Sequence, residues 1–148
     1  MEILLVEDDP KDARLTLREL QDLKNKIHIV RDGEEALDFL LCRAAYSERS
    51  PHHPPRLVLL DLKLPKVSGL EVLQEIKSRP ETQAIPVVVL TSSAEERDMV
   101  ETYKLGVNSY IQKPVDFEQF RQAIKILGLY WMVVNQAPPD KAFAVELH

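Results

Sequence analysis

Three uninterrupted apolar tetrads constrain the fold of this chain more than any other feature of its sequence. They occupy residues 3–6, 57–60 and 87–90, and apolar runs of this length are typical of strands that are buried on both faces. Weaker strand patterns lie at 27–30 and 109–112. Because a strand buried on both faces needs cover on both sides, the tetrads favour a parallel sheet between two layers of helices.

Amphipathic stretches fill the gaps between the predicted strands. The first begins at Asp9, a suitable N-cap that is followed by a proline. The fourth is predicted over 94–105 and stops at Gly106, and the fifth begins near Asp116 with apolar spacing that continues to Trp131. Five such units in alternation predict an α/β fold with a doubly wound, five-stranded parallel sheet.

Length and composition indicate the class of protein. The chain has 148 residues, which suits one domain, and we expect that domain over residues 1–136 with a tail at 137–148. The net charge of −5 argues against a nucleic-acid surface, since contacts to phosphate backbones depend on clustered Lys and Arg. The longest nearly apolar run, 126–134, is far shorter than the roughly 20 residues that span a bilayer. No signal sequence is visible either, so we expect a cytoplasmic protein without a membrane contact.

Two further features carry less information. Cys42 is the one cysteine, and its apolar neighbours predict a buried or half-buried side chain rather than a reactive one. The segment 47–56 is polar, holds three of the ten prolines and predicts a loop. His52 and His53 in this loop lack the spacing of a metal site, so we interpret them as solvated.

Chemically active side chains follow the predicted strands at one edge of the sheet. Glu7 and Asp8 come after the first strand, Asp61 ends the third, Thr91 ends the fourth and Lys113 follows the fifth. Ligands of parallel α/β sheets bind beyond the carboxyl ends of the strands. Taken singly, an acid at such a junction is often a helix cap, and a threonine or a Lys-Pro pair there is usually structural. Their joint occurrence favours a functional site.

The chemistry of this set indicates phosphoryl transfer. Three carboxylates close together must bind a cation or raise a pKa, and all-oxygen ligands favour Mg²⁺. A cation, one ammonium and one hydroxyl provide the charge neutralisation that phosphoryl transfer needs. A carboxylate that acts as the nucleophile would become an acyl phosphate.

These residues make the sequence resemble the receiver domain of bacterial two-component response regulators over about residues 2–130. The resemblance implies a flavodoxin-like fold with strand order 2-1-3-4-5. Any one motif is weak, but four in this order and spacing are specific. They are Ile-Leu-Leu-Val-Glu-Asp-Asp at 3–9, Leu-Leu-Asp-Leu-Lys-Leu-Pro at 59–65 with Gly69, Val-Leu-Thr-Ser at 89–92, and Tyr-Ile-Gln-Lys-Pro at 110–114.

The resemblance implies a role for each matching residue at the acceptor. Asp61 is similar to the phosphoryl acceptor, and Glu7 and Asp8 to the acidic pair that holds Mg²⁺, Asp8 more directly. The backbone carbonyl of Lys63 would be a further metal ligand.

The remaining implied roles concern the phosphoryl oxygens and the switch. Thr91 would hydrogen-bond the phosphoryl group and Lys113 would pair with it, with a cis bond between Lys113 and Pro114. Tyr110 would be the aromatic switch that turns inward when Thr91 moves.

A narrower resemblance points to the single-domain regulators that are paired with phytochrome-type histidine kinases. It rests on the proline-rich loop at 47–56, the segment 61–66 and the sequence Gly-Leu-Tyr-Trp at 128–131. It implies a histidine kinase as partner, signalling by protein contact, and a homodimer. Residues 130–134 leave apolar groups on more than one helical side, so the dimer is expected through the face of the fourth helix, fifth strand and fifth helix together with the C-terminal extension. Folding of the tail back onto its own domain is the alternative.

Other functions remain open on the sequence alone. We expect no enzyme beyond the chain's own phosphorylation and dephosphorylation, and a phosphorelay intermediate is the first alternative. An aspartyl-phosphate phosphatase is a second, but Lys63 stands where such enzymes resemble Asp-x-Asp. A receiver fold kept only as a binding module is a third, and the full set of site residues argues against it.

Overall fold

The computed structural model describes residues 2–21, 23, 26–107 and 109–128. All strands of its sheet are parallel, and their order is β2-β1-β3-β4-β5. This confirms the predicted architecture and strand order. The strands are β1 Glu2–Val6, β2 Lys26–Val30, β3 Leu57–Asp61, β4 Val87–Thr91 and β5 Tyr110–Gln112.

In the described part of the chain, five α-helices cover the sheet, and each follows a residue whose side chain accepts a hydrogen bond from the backbone of the first turn. These N-caps are aspartates or serines, and the cap predicted at Asp9 is one of them. The helices are α1 Pro10–Glu19, α2 Gly33–Leu40, α3 Gly69–Ser78, α4 Ala94–Thr102 and α5 Phe117–Ile126, with a short 3₁₀ helix at Ala44–Tyr46.

Two helix ends differ from the prediction. α4 stops at Thr102 rather than at 105, because Lys104 takes the left-handed conformation with φ of 51°. α5 stops at Ile126 rather than at Trp131, and Gly128 follows with φ of 72°, a conformation that favours glycine. Trp131, the expected domain end at 136 and the tail at 137–148 lie outside the described residues.

The sheet is buried on both faces, as the tetrads predicted. Leu4 and Val6 belong to the apolar cluster under α2, α3 and α4, whereas Ile3 and Leu5 belong to the cluster under α1 and α5. β3 and β4 are buried at every residue. Successive side chains of one strand therefore serve two separate cores, which explains why no polar residue interrupts the tetrads.

The segment 47–56 contains no helix or strand, as predicted. His52 and His53 are exposed and Cys42 is half-buried, which agrees with the sequence interpretation. The guanidinium of Arg49 lies 3.6 Å from the centroid of the Phe39 ring and pairs with Glu2 at 2.9 Å. Within the described ranges, no helix is long and apolar enough to cross a membrane.

Candidate functional site

The carboxyl edge of the sheet brings together the acidic residues that the sequence singled out. Glu7 and Asp8 follow β1, and Asp61 is the last residue of β3. One carboxylate oxygen from each of the three lies within 4.8 Å of the others. Glu7 and Asp61 are buried, and Asp8 is exposed. Oxygen donors at this spacing fit a hard divalent cation, and their mutual repulsion favours one.

Lys113 is the cationic centre of the site. Its ammonium lies 2.9 Å from Oε1 of Glu7, 3.1 Å from Oδ2 of Asp61 and 3.1 Å from Oδ2 of Asp12. The contact with Asp61 is a hydrogen bond, whereas the contact with Oε1 of Glu7 is an ion pair without hydrogen-bond geometry. Burial acts to lower the pKa of Lys113, but the interactions with these carboxylates outweigh it and raise that pKa above its ordinary value.

The carboxyl of Glu7 is strongly perturbed. Its burial, together with a hydrogen bond and charge repulsion from Asp61, raises the pKa of Glu7 to about 7, against an opposing contribution from Lys113. The site therefore holds more negative charge than a single ammonium neutralises.

Local backbone structure places these groups. The Asp9 side chain caps α1 by accepting a bond of 2.9 Å from the N–H of Lys11, so the chain turns sharply after β1. The Asp9 N–H itself lies 3.4 Å from Oε2 of Glu7 and donates to it. On the other side of the site, the N–H of Lys113 donates to the carbonyl of Thr91 at 2.7 Å, and the Lys113–Pro114 bond is cis.

The loop after β3 is held tightly against Asp61. The N–H of Lys63 donates to Oδ1 of Asp61 at 3.2 Å. A Cβ atom on Gly69 would lie 2.2 Å from the carbonyl oxygen of Asp61, far inside van der Waals contact. Glycine is therefore required at position 69 for α3 to begin this close to the acceptor strand.

Thr91 and Tyr110 lie on neighbouring strands next to the acids. Thr91 is buried at the end of β4, which lies between β3, the strand that ends in Asp61, and β5, the strand that precedes Lys113. Tyr110 is half-buried against the apolar cluster under α4, and the Arg97 guanidinium lies 4.7 Å from its ring centroid. Its hydroxyl is buried and has no hydrogen-bond partner in the described part of the chain.

Sequence reasoning missed two residues of this site. Asp12 contacts Lys113 from the first turn of α1, and its position four residues after Asp8 was the available signal. Glu96 accepts a bond of 2.6 Å from the N–H of Ser92 and pairs with Lys63 at 3.4 Å. The spacing of Ser93 and Glu96 is that of a capping box, which could have identified it.

Comparisons with known proteins agree with this geometry. The response regulator receiver domain family matches residues 3–125. The chain is 43% identical over 138 residues to the probable methanogenesis regulatory protein FilR2 of Methanothrix harundinacea, covering 92% of this chain and 86% of that protein. It is 42% identical over 138 residues to the response regulator Rcp1 of Synechocystis, covering 92% of each.

Solved structures give the same result. The bacteriophytochrome response regulator AtBRR is 52% identical with a TM-score of 0.85, over 91% of this chain and 97% of that one. The phosphorylated cyanobacterial phytochrome response regulator RcpA is 41% identical with a TM-score of 0.72, over 93% and 98%. The Mn²⁺-bound form of Rcp1 is 38% identical with a TM-score of 0.71, over 93% and 99%.

The family match extends over most of the chain, and these relatives align along nearly their full lengths. The fold and the acidic edge of the sheet are those expected of the same family. The chain therefore belongs to the response regulator receiver domain family.

Proposed function

We propose that this response regulator is a switch in which Asp61 accepts a phosphoryl group from a phosphohistidine of a sensor kinase, with Mg²⁺ as cofactor. One observation carries the proposal: the buried Asp61 carboxylate forms an acidic cluster with Glu7 and Asp8, and it lies 3.1 Å from the ammonium of Lys113. A carboxylate with this surrounding is positioned both to attack phosphorus and to have the resulting charge neutralised.

The transfer balances as a displacement at phosphorus. A carboxylate oxygen of Asp61 forms the new P–O bond as the P–N bond of the phosphohistidine breaks, and the imidazole nitrogen takes the electron pair. Lys113 then donates to a phosphoryl oxygen, and the hydroxyl of Thr91 donates to another. Thr91 ends β4, the neighbour of the strand that ends in Asp61, and the ammonium of Lys113 lies 3.1 Å from Oδ2 of Asp61.

The cation would be held by Glu7, Asp8, Asp61 and the backbone carbonyl of Lys63. When bound, it supplies positive charge that offsets the negative charge of the carboxylates and of the transferring group. The cluster of three carboxylate oxygens within 4.8 Å supports this assignment. The Mn²⁺-bound form of the related Rcp1 is consistent with a divalent ion in the family.

Readout would begin at Thr91 and Tyr110. If Thr91 moves toward a phosphoryl oxygen, the space behind it changes and Tyr110 repacks, since the two residues lie on neighbouring paired strands. Phosphorylation would then shift a two-state equilibrium that reshapes the face of α4, β5 and α5.

The partner is proposed from the relatives. AtBRR and RcpA are named as phytochrome response regulators, so we expect a phytochrome-type histidine kinase in the cytoplasm and a readout by protein contact. The homodimer is expected through the face of α4, β5 and α5 and the C-terminal extension, of which residues 129–148 lie outside the described part.

The chemistry favours a switch over an enzyme that acts on other substrates. Position 63, two residues after the acceptor, carries an exposed lysine that pairs with Glu96. A phosphatase of the Asp-x-Asp type would need an acid there to protonate its leaving group. Turnover by this chain should therefore be limited to its own acyl phosphate, and its use as a phosphorelay intermediate is the remaining alternative.

Incubation with acetyl phosphate and Mg²⁺, followed by intact mass spectrometry, tests the proposal. We expect one phosphoryl group on the wild-type chain and none on Asp61→Asn. Asp98→Asn, which removes the same charge from an exposed position of α4, should be phosphorylated like the wild type. Equal phosphorylation of the wild type and Asp61→Asn would overturn the assignment.

A further inference from the structure

Asp12 contacts Lys113 although it does not belong to the acidic cluster. The cluster consists of Glu7, Asp8 and Asp61, and Asp12 is not part of it. Asp12 belongs to α1, and its Oδ2 atom lies 3.1 Å from the ammonium of Lys113. Asp12 has no part in the proposed phosphoryl transfer, so its contact with the ammonium needs an explanation.

Three carboxylates surround the ammonium before any phosphoryl group arrives. Glu7, Asp12 and Asp61 each form an ion pair with it at 3.1 Å or less. An incoming phosphoryl oxygen must therefore compete with these carboxylates for Lys113. Glu7 and Asp61 have an alternative partner in a bound cation, whereas Asp12 lies outside the cluster that would hold it.

Asp12 is well placed to compete with a phosphoryl oxygen for Lys113. Its backbone is set by the first turn of α1, directly after the Asp9 cap. The Asp12 side chain is 36% exposed, so water can solvate it when Lys113 moves away, whereas the Lys113 side chain is 19% exposed. The contact is therefore one that can break and re-form without leaving a buried charge unpaired.

We propose that Asp12 is a positioning residue that restrains Lys113 in the resting protein and thereby limits how readily the ammonium engages the phosphoryl group. The inference rests on the proposed function and adds a residue that limits the rate at which Asp61 is phosphorylated. With Asp12 present, phosphorylation must draw Lys113 away from a third carboxylate. Without the charge of Asp12, Lys113 is restrained less strongly, and phosphorylation becomes faster.

Asp12→Asn is the main test variant, because it keeps the size and an acceptor oxygen but removes the charge. At saturating Mg²⁺, we expect its phosphorylation by acetyl phosphate to be at least threefold faster than that of the wild type. Binding of beryllium trifluoride, a phosphoryl mimic, to the unphosphorylated protein should tighten by a similar factor in calorimetry. Asp12→Ala should behave in the same way.

Glu48→Gln is the matched control. It removes the same charge from an exposed residue next to Arg49, which pairs with Glu2 at the start of β1, the opposite end of the sheet. Its rate and its affinity for beryllium trifluoride should be those of the wild type. A role for Asp12 confined to helix stability would change the melting temperature but neither of these two readouts.

The same experiment in a Lys113→Ala background tests whether Asp12 acts through Lys113. There the Asp12→Asn substitution should no longer tighten beryllium trifluoride binding, because the restrained group is missing. Unchanged rate and affinity for Asp12→Asn, or a gain that persists without Lys113, would overturn the inference. If Asp61→Asn accepts a phosphoryl group as the wild type does, the proposed function itself fails, which is a separate outcome.

Discussion

The ammonium of Lys113 lies 3.1 Å from Oδ2 of Asp61, although Asp61 ends β3, Lys113 follows β5 and β4 runs between these two strands. The contact spans the end of β4, where Thr91 is located. A change in bonding at Asp61 therefore has to alter the surroundings of Thr91 and of the residue that follows β5. This arrangement links the chemistry of one strand to the position of another.

Removal of Lys113 should destabilise the fold when no divalent ion is present. Lys113→Ala leaves the buried Glu7 and Asp61 without a cation, and we expect a loss of about 3 kcal/mol in the free energy of unfolding. Urea unfolding with a chelator measures it, with exposed Lys11→Ala as the control. Addition of Mg²⁺ should recover part of the loss, and equal stability of the two variants would contradict the prediction.

Magnesium should stabilise the wild-type protein, because it binds the native acidic cluster and relieves its repulsion. We expect the melting temperature to rise with millimolar Mg²⁺ in thermal denaturation. Asp8 is exposed, so Asp8→Asn should fold normally but lose most of this rise. Asp98→Asn should keep it, and a full rise in Asp8→Asn would remove Asp8 from the metal site.

The titration of Glu7 gives a pH dependence with a defined sign. Its pKa is about 7 in the fold against 4.5 when unperturbed, so the native chain binds this proton more tightly than the unfolded chain. The stabilisation is complete below about pH 4.5 and is lost as the pH rises toward 7. We expect this group to contribute about 3 kcal/mol less stability at pH 8 than at pH 4.5 in metal-free protein.

Chemical denaturation across this pH range, with Glu7→Gln as the comparison, measures that contribution. The variant should lack this component of the pH dependence. Mg²⁺ requires the deprotonated carboxyl, so its affinity should rise between pH 6 and pH 8 in the wild type. A pH profile that Glu7→Gln leaves unchanged would show that another group titrates.

Gly69 should tolerate no larger side chain. A Cβ atom there would lie 2.2 Å from the carbonyl of Asp61, so Gly69→Ala must displace the acceptor strand or α3, at a cost of about 3 kcal/mol. Gly106 has open space around it but a φ of 76°, so Gly106→Ala should lose only about 1 kcal/mol, from backbone strain. Phosphorylation by acetyl phosphate should slow in the first variant alone.

Removal of the hydroxyl should affect stability differently at Tyr110 and at Tyr46. The hydroxyl of Tyr110 is buried without a described partner, so Tyr110→Phe should leave stability unchanged or raise it slightly. The hydroxyl of Tyr46 donates to Glu35 at 2.6 Å, and Tyr46→Phe should cost about 1–2 kcal/mol. A large loss in Tyr110→Phe would reveal a partner for that hydroxyl.

The fold was predictable because a strand that is buried on both faces needs an uninterrupted apolar run, which is visible in the local sequence. Each apolar tetrad lies within one strand, and its meaning does not depend on distant residues. The positions of Glu7, Asp61 and Lys113 followed from the same strand patterns, since each comes directly at or after a strand end. Asp9 was likewise recognised as a cap from its neighbours alone.

Contacts between elements were not predictable in the same way. Asp12 meets Lys113 across the gap between α1 and the end of β5, a distance that the local pattern does not encode. The early end of α4 coincides with the left-handed conformation of Lys104. The sequence does not predict that conformation, because position 104 is not a glycine. The Tyr46 ring, at the end of the 3₁₀ helix Ala44–Tyr46, packs against Phe39 with a centroid distance of 5.1 Å, a contact that the local pattern does not encode.

The proline-rich segment 47–56 lies at the opposite edge of the sheet from the acidic residues. The N–H of Arg56 donates to the carbonyl of Glu2 at 2.8 Å, at the very start of β1. Strands of five residues separate the two edges by about 17 Å. Insertions or substitutions in this segment should therefore leave the proposed phosphorylation site unchanged. The same separation makes the segment a convenient place to insert a fluorescent reporter.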